Sequence, residues 1–247
     1  MMLRRVTCWS AVLAAVLSFA AAASEPGESG WIVLSDGLGA WQEPSSDWLV
    51  AGDARLDPEN ERCLVGLPGQ GVLVHEEGKT KDLVSREEWG DVEVAFEFMI
   101  PGGSNSGVKL EGLYEIQIVD SWKVEKATAH HCGGIYPRAE LKPRYRHIDD
   151  GIAPRSNAAK PPGQWQSLEI VFRAPRFDDA GKKTTNARFE KAVLNGTTIH
   201  EDVELLYPTG HAWRQQEKPV GPLLLQADHG PVAFRNVRVR PLPAGQG

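Results

Sequence analysis

Asp91-Val92-Glu93-Val94-Ala95-Phe96-Glu97-Phe98 decides the fold class of this 247-residue chain. Val92, Val94, Phe96 and Phe98 recur every second residue, with Asp91, Glu93, Ala95 and Glu97 between them. In an extended chain successive side chains point to opposite faces, so this period marks a half-buried strand. The same rhythm runs through Tyr114, Ile116 and Ile118, alternating with Glu115 and Gln117, and through Leu168, Ile170 and Phe172. Helix-period stripes are almost absent. Asn195-Gly196 sits between Ala192-Val193-Leu194 and Thr197-Thr198-Ile199, where two residues that accept positive φ predict a tight hairpin. Near the C-terminus the apolar phase shifts from Val232 and Phe234 to Val237 and Val239, which predicts a bulge around Arg235-Asn236. Strands at this spacing, with no helices between them, indicate an all-β sandwich of two antiparallel sheets.

The N-terminus reads differently. Arg4 and Arg5 precede an apolar run from Ala11 to Ala23, broken only by Ser18, and small residues lead into Ser24-Glu25-Pro26. That is the layout of a signal peptide over residues 1–23, leaving 24–247 as one exported domain, periplasmic or secreted. The run is shorter than the roughly 20 residues a membrane crossing needs, and no comparable stretch follows. Cleavage would take Arg4 and Arg5 and move the formal charge from -6 to -8. An acidic surface disfavours nucleic acid and anionic membranes as partners, so a neutral ligand such as a carbohydrate fits better. Cys63 and Cys132 survive cleavage, and an oxidising compartment permits a disulfide between them without requiring one. His130-His131-Cys132 looks like a metal cluster, but consecutive residues of an extended segment cannot all face one ion. The segment from Pro137 to Pro162 holds five prolines and six basic residues in an otherwise acidic chain. A connection of that length is a candidate lid or a surface insertion.

Several stretches together resemble the 3-keto-disaccharide hydrolase family: Leu34-Ser35-Asp36-Gly37 with Trp41, Gly103-Ser104-Asn105-Ser106-Gly107-Val108, Tyr114 to Asp120, Gly133-Gly134-Ile135-Tyr136, and Leu225-Gln226-Ala227-Asp228-His229-Gly230. The resemblance spans roughly residues 31–241. It implies a jelly-roll β-sandwich of the concanavalin A-like lectin/glucanase kind. It also implies cleavage of glycosides whose sugar a separate oxidoreductase has already oxidised at C3.

A C3 carbonyl acidifies the C2 proton, so the C1 oxygen can leave from an enolate, and water then adds at C1. Such a route needs a base at C2, a donor for the C3 oxyanion and an acid for the leaving oxygen. Glu115 is the first candidate for the catalytic carboxylate, with Gln117 beside it on the strand's polar face. Asp120 joins them if the strand bends. His229 can shuttle a proton, with Asp228 orienting the ring or a sugar hydroxyl. Asn105 is a donor to a sugar hydroxyl or oxyanion, Lys109 and Tyr136 are candidates for oxyanion and ring contact, and Arg86 is a further substrate contact. No redox cofactor is required and no dinucleotide fingerprint is evident. A divalent cation would help enolisation, and Asp120, Asp228 and His229 are ligand types for one, but no spacing diagnoses a site. Two alternatives stay open: a retaining glucanase using Glu115, Gln117 and Asp120, and a non-catalytic binding module with aromatic platforms.

Overall fold

The alternation that marks the strands becomes the two inner faces of a sandwich. The computed structural model describes residues 30–243 and Gly245, so the leader expected over 1–23 lies outside the described residues. In chain order the strands are β1 (Ile32–Val33), β2 (Trp48–Leu56), β3 (Leu64–His75), β4 (Leu83–Trp89), β5 (Val92–Met99), β6 (Asn105–Leu110), β7 (Tyr114–Val119) and β8 (Ala139–Glu140). They continue with β9 (Arg146–His147), β10 (Gln166–Arg173), β11 (Arg176–Phe177), β12 (Lys183–Thr185), β13 (Ala187–Leu194), β14 (Thr197–Leu205), β15 (Gly221–Leu225) and β16 (Val232–Pro241).

The larger sheet runs β14-β13-β10-β5-β16-β3-β2, with β1 added to β16, and the smaller runs β4-β15-β6-β7. Both are antiparallel, in the arrangement of a jelly-roll sandwich. Val94, Phe96 and Phe98 of β5 meet Val108 of β6 and Ile116 and Ile118 of β7 in one core. Burying such side chains stabilises the sandwich by about 1.5–3 kcal/mol each. The Asn195-Gly196 hairpin joins β13 to β14 with φ of 51° and 79°. The expected bulge is present: the register of β16 on β5 shifts between Arg235 and Arg238, and Asn236 has φ of 53°.

The outer face of the larger sheet is less polar than the alternation alone suggests. Met99, Val72, Val74, Leu64 and Ala233 form a second small core there, against which Leu56 and Trp165 pack. Gly52 lets the β2–β3 ribbon close on itself, since an added Cβ would lie 2.7 Å from the Pro68 carbonyl oxygen. Cys63 and Cys132 are both free thiols. Cys132 is buried in the core, whereas the Cys63 sulfur, in the β2–β3 connection, accepts a hydrogen bond from Asn60 Nδ2 at 3.0 Å.

The proline-rich segment has an ordered path. Ile135 bridges Ile116 on one side and Ile152 on the other, which widens the smaller sheet beyond β7. Three of its six basic residues pair with acids: Arg138 with Asp149 at 2.6 Å, Arg155 with Glu201 at 2.7 Å, and Arg146 with Glu140.

Glu111, in the turn between β6 and β7, has φ of 54°, and both its carboxylate oxygens are buried without a partner. Burial, reinforced by the nearby negative charge of Glu217, pushes its carboxyl up to about 8. The folded chain therefore holds a proton that the unfolded chain releases near 4.5, and stability falls as pH rises from about 4.5 to about 8. Glu111→Gln should remove this slope, raising Tm at pH 8 while changing it little at pH 4. Parallel thermal melts of the two proteins at both pH values check this, and equal slopes would show that Glu111 is not the group responsible.

Candidate active site

The site is built on one cross-strand row of the smaller sheet. On β7, Tyr114, Ile116 and Ile118 face the core, so Glu115 and Gln117 face the other way. Lys109 of β6 stands directly opposite Glu115, and Leu224 of β15 opposite Lys109. On the far side of β7, Tyr136 donates its backbone N–H to the Glu115 carbonyl at 3.3 Å. The row therefore reads Leu224, Lys109, Glu115, Tyr136 across the sheet. The next row carries Gln226, Gly107, Gln117 and Gly134, joined by backbone bonds of 2.8–2.9 Å.

This face is not a solvated one, as Glu115 and Gln117 are only 3% and 4% exposed. Lys109 Nζ lies 3.5 Å from Glu115 Oε2, and Gln117 Nε2 lies 3.4 Å from Oε1. Thr209 Oγ1 accepts the Glu115 backbone N–H at 3.0 Å. Gly107 makes room for the carboxylate, because a Cβ there would stand 2.6 Å from Glu115 Oε1. Burial raises the Glu115 pKa, Lys109 and then His229 oppose the rise, and Asp228 adds to it.

The turn after β15 brings the second group of polar side chains to the Lys109 side of the row. Ser106 Oγ donates to the Gln226 carbonyl at 2.7 Å, and Asp82 Oδ1 accepts the N–H groups of Ala227 and Asp228 at 2.8 and 3.2 Å. Asp228 in turn accepts a hydrogen bond from His229 Nδ1, which orients the ring. Gln226 Oε1 and Asn105 Oδ1 are buried without partners, as expected of groups that await a ligand.

The structure thus gathers Glu115, Gln117, Lys109, Tyr136, Asp228 and His229 about one place, with Asn105 on the same face of β6. Two expected residues stand apart. The Asp120 carboxylate accepts the backbone N–H groups of Gly103 and Trp122 at 3.1 and 3.3 Å, so it braces turns instead of joining Glu115. Arg86 is on β4, at the edge of the sheet opposite β7 with two strands between them, where its Nε donates to the Gly39 carbonyl at 3.0 Å. Gln226, Asp82, Thr209, Tyr145 and His147 were not singled out from the sequence. Gln226 keeps the phase of the quoted motif and could have been found by it, whereas Asp82 carries no local signal. His130, His131 and Cys132 do diverge: His130 packs on Tyr136, His131 Nδ1 accepts from the Thr128 N–H, and Cys132 is buried. Among the described residues, no three His, Cys, Asp or Glu side chains form a group set to hold a metal ion.

A sunken carboxylate paired with a lysine lies on the open face of this jelly-roll sandwich, and the family match makes the chain a carbohydrate-active enzyme. The chain belongs to the family described as having a 3-keto-alpha-glucoside-1,2-lyase-like domain, whose model matches residues 30–240. A glycosyl hydrolase candidate from Parabacteroides distasonis ATCC 8503 is 25% identical, with a TM-score of 0.61 over 87% of this chain and 84% of that one. A second from the same organism is 15% identical, with a TM-score of 0.49 over 87% and 90%. An alginate lyase is 12% identical, with a TM-score of 0.41 over 88% and 99%. No curated protein matches the chain. No helix among the described residues is long and apolar enough to cross a membrane.

Because Lys109 lowers the Glu115 pKa, Lys109→Met should make that carboxyl titrate at higher pH than in the native protein. A carbon-13 NMR titration of the glutamate carboxyls, with Glu115→Gln to assign the signal, checks this; an unmoved midpoint would rule out the coupling.

Proposed function

We propose that this protein cleaves glycosides already oxidised at C3 by removing the C2 proton and eliminating the C1 oxygen, with hydration completing net hydrolysis. The observation that carries this reading is the Lys109–Glu115 pair, in which a buried carboxylate of raised pKa lies 3.5 Å from an ammonium group. A carboxylate raised toward neutrality is a better base for a weakly acidic C–H bond than a solvated one. An ammonium beside it suits the negative charge that develops one atom away, on the C3 oxygen.

In this scheme Glu115 takes the C2 proton, and the electron pair of the C–H bond passes to the C3 oxygen, which the Lys109 ammonium stabilises. Asp228 holds the His229 ring. Asn105, Gln117 and Gln226 offer amide groups to the sugar hydroxyls. The substrate must come from a reaction that oxidises a C3 hydroxyl, so a separate sugar oxidoreductase acts upstream. The leader-like residues 1–23 put this chemistry outside the cytoplasm, in a periplasm or the medium.

Matched glucosides and 3-keto-glucosides distinguish this from ordinary hydrolysis when aglycone release and C2 hydrogen exchange are followed in deuterated water. The expected result is release from the keto substrate alone, with C2 exchange, and a fall of about 10²–10⁴-fold in both for Glu115→Gln. Release from the unoxidised glucoside would replace elimination by direct hydrolysis, and binding of both without turnover would make the protein a lectin.

A further inference from the structure

In a pyranose, C2 lies between C1 and C3. If Glu115 addresses C2 and the Lys109–His229 side holds the C3 oxygen, the C1 oxygen falls on the opposite side of Glu115. That side is occupied by Tyr136, the next residue of the cross-strand row. Gly210 lies between the two side chains, for an added Cβ would stand 3.7 Å from Tyr136 Cδ1 and 4.0 Å from Glu115 Oε2.

The Tyr136 hydroxyl is not alone. It lies 2.6 Å from the Tyr145 hydroxyl and 3.2 Å from His147 Nε2, and those two lie 3.2 Å from each other. Tyr145 and His147 come from the β8–β9 hairpin of the proline-rich segment, and the His130 ring packs on both Tyr136 and His147. A phenol oxygen can accept from a second hydroxyl and from an imidazole N–H while its own proton points elsewhere. Burial and the Glu115 charge favour the neutral phenol, so Tyr136 enters the reaction holding its proton.

Resting on the elimination reading above, we infer that Tyr136 is the acid that protonates the departing glycosidic oxygen, and that Tyr145 and His147 position it and relay its replacement proton. As the C1–O bond breaks, the enolate electrons form the C1=C2 bond and restore the C3 carbonyl. The Tyr136 O–H proton passes to the leaving oxygen, giving the free alcohol. The phenolate regains a proton from solvent through Tyr145 and His147, both exposed, and Glu115 returns its proton to solvent. The hairpin is on this reading part of the active site.

The test compares leaving groups. An alkyl 3-keto-glucoside needs its alkoxide protonated, whereas a 4-nitrophenyl 3-keto-glucoside expels a stable phenolate. Tyr136→Phe should lower kcat about 10²-fold on the alkyl substrate, with a loss at least about ten-fold smaller on the nitrophenyl one, and should keep C2 exchange. His147→Gln and Tyr145→Phe, at exposed positions that folding tolerates, should give the same selectivity with smaller amplitude. Equal losses on both substrates, or loss of C2 exchange in Tyr136→Phe, would overturn the assignment. If the native protein turns over only unoxidised glycosides, the elimination reading fails. The alkyl-to-nitrophenyl ratio on those substrates still decides whether Tyr136 is the leaving-group acid.

Discussion

The site depends on the register of β7. Its period of two sends Tyr114, Ile116 and Ile118 into the core and thereby fixes Glu115 and Gln117 on the other face. A slip of one residue would put a carboxylate among apolar side chains and a row of large apolar groups on the polar face, so the core energy enforces the position of the polar groups. Lys109 and Tyr136 are placed by pairing on either side of the same strand. The candidate-site row is therefore a by-product of correct sheet assembly, and Gly107 makes way for it.

Electrostatics sets what that row can do. Removing a carboxylate from water costs several kcal/mol even after relaxation, and an ion pair at this separation returns a similar amount at a protein-like dielectric. The two oppose each other, and the upward direction of the Glu115 pKa shows that burial is the larger. A bidentate partner would pull that pKa further down, and loss of the partner would let burial push it higher. A single 3.5 Å contact to a lysine lies between these limits.

Much of this was legible in the sequence, and the parts that were not share a cause. The strands, the Asn195-Gly196 turn and the bulge at Asn236 are local patterns, each set by residues within a few positions of one another. The shared face of Glu115 and Gln117 follows from their spacing. That both are buried does not, because the cover comes from Thr209, Tyr136 and the 226–229 turn, which lie far along the chain. Asp82 works across 145 positions to hold Ala227, a relation without any local signature. Arg86 and Asp120 were drawn in by their chemistry, but β4 lies at the opposite edge of the sheet from β7 and the Asp120 carboxylate is spent on turn N–H groups. The hairpin bearing Tyr145 and His147 read only as a basic, proline-rich connection, since its ion pairs with Asp149 and Glu140 become visible only once it folds.

The same neighbours argue against a retaining glucanase. Double displacement needs two carboxyl groups facing each other about 5 Å apart, one ionised to attack C1 and one protonated to assist departure. Across from Glu115 stand a lysine and a tyrosine, and the residue two along the strand is Gln117. Asp120 could have supplied the second carboxyl only by giving up the Gly103 and Trp122 N–H groups that it caps. In the elimination proposed above, a cation on one side of the carboxylate would meet charge developing at C3, and the phenol on the other side would meet an oxygen leaving C1. Neither provides for a covalent intermediate, and the charge pattern suits carbanion chemistry better than oxocarbenium chemistry.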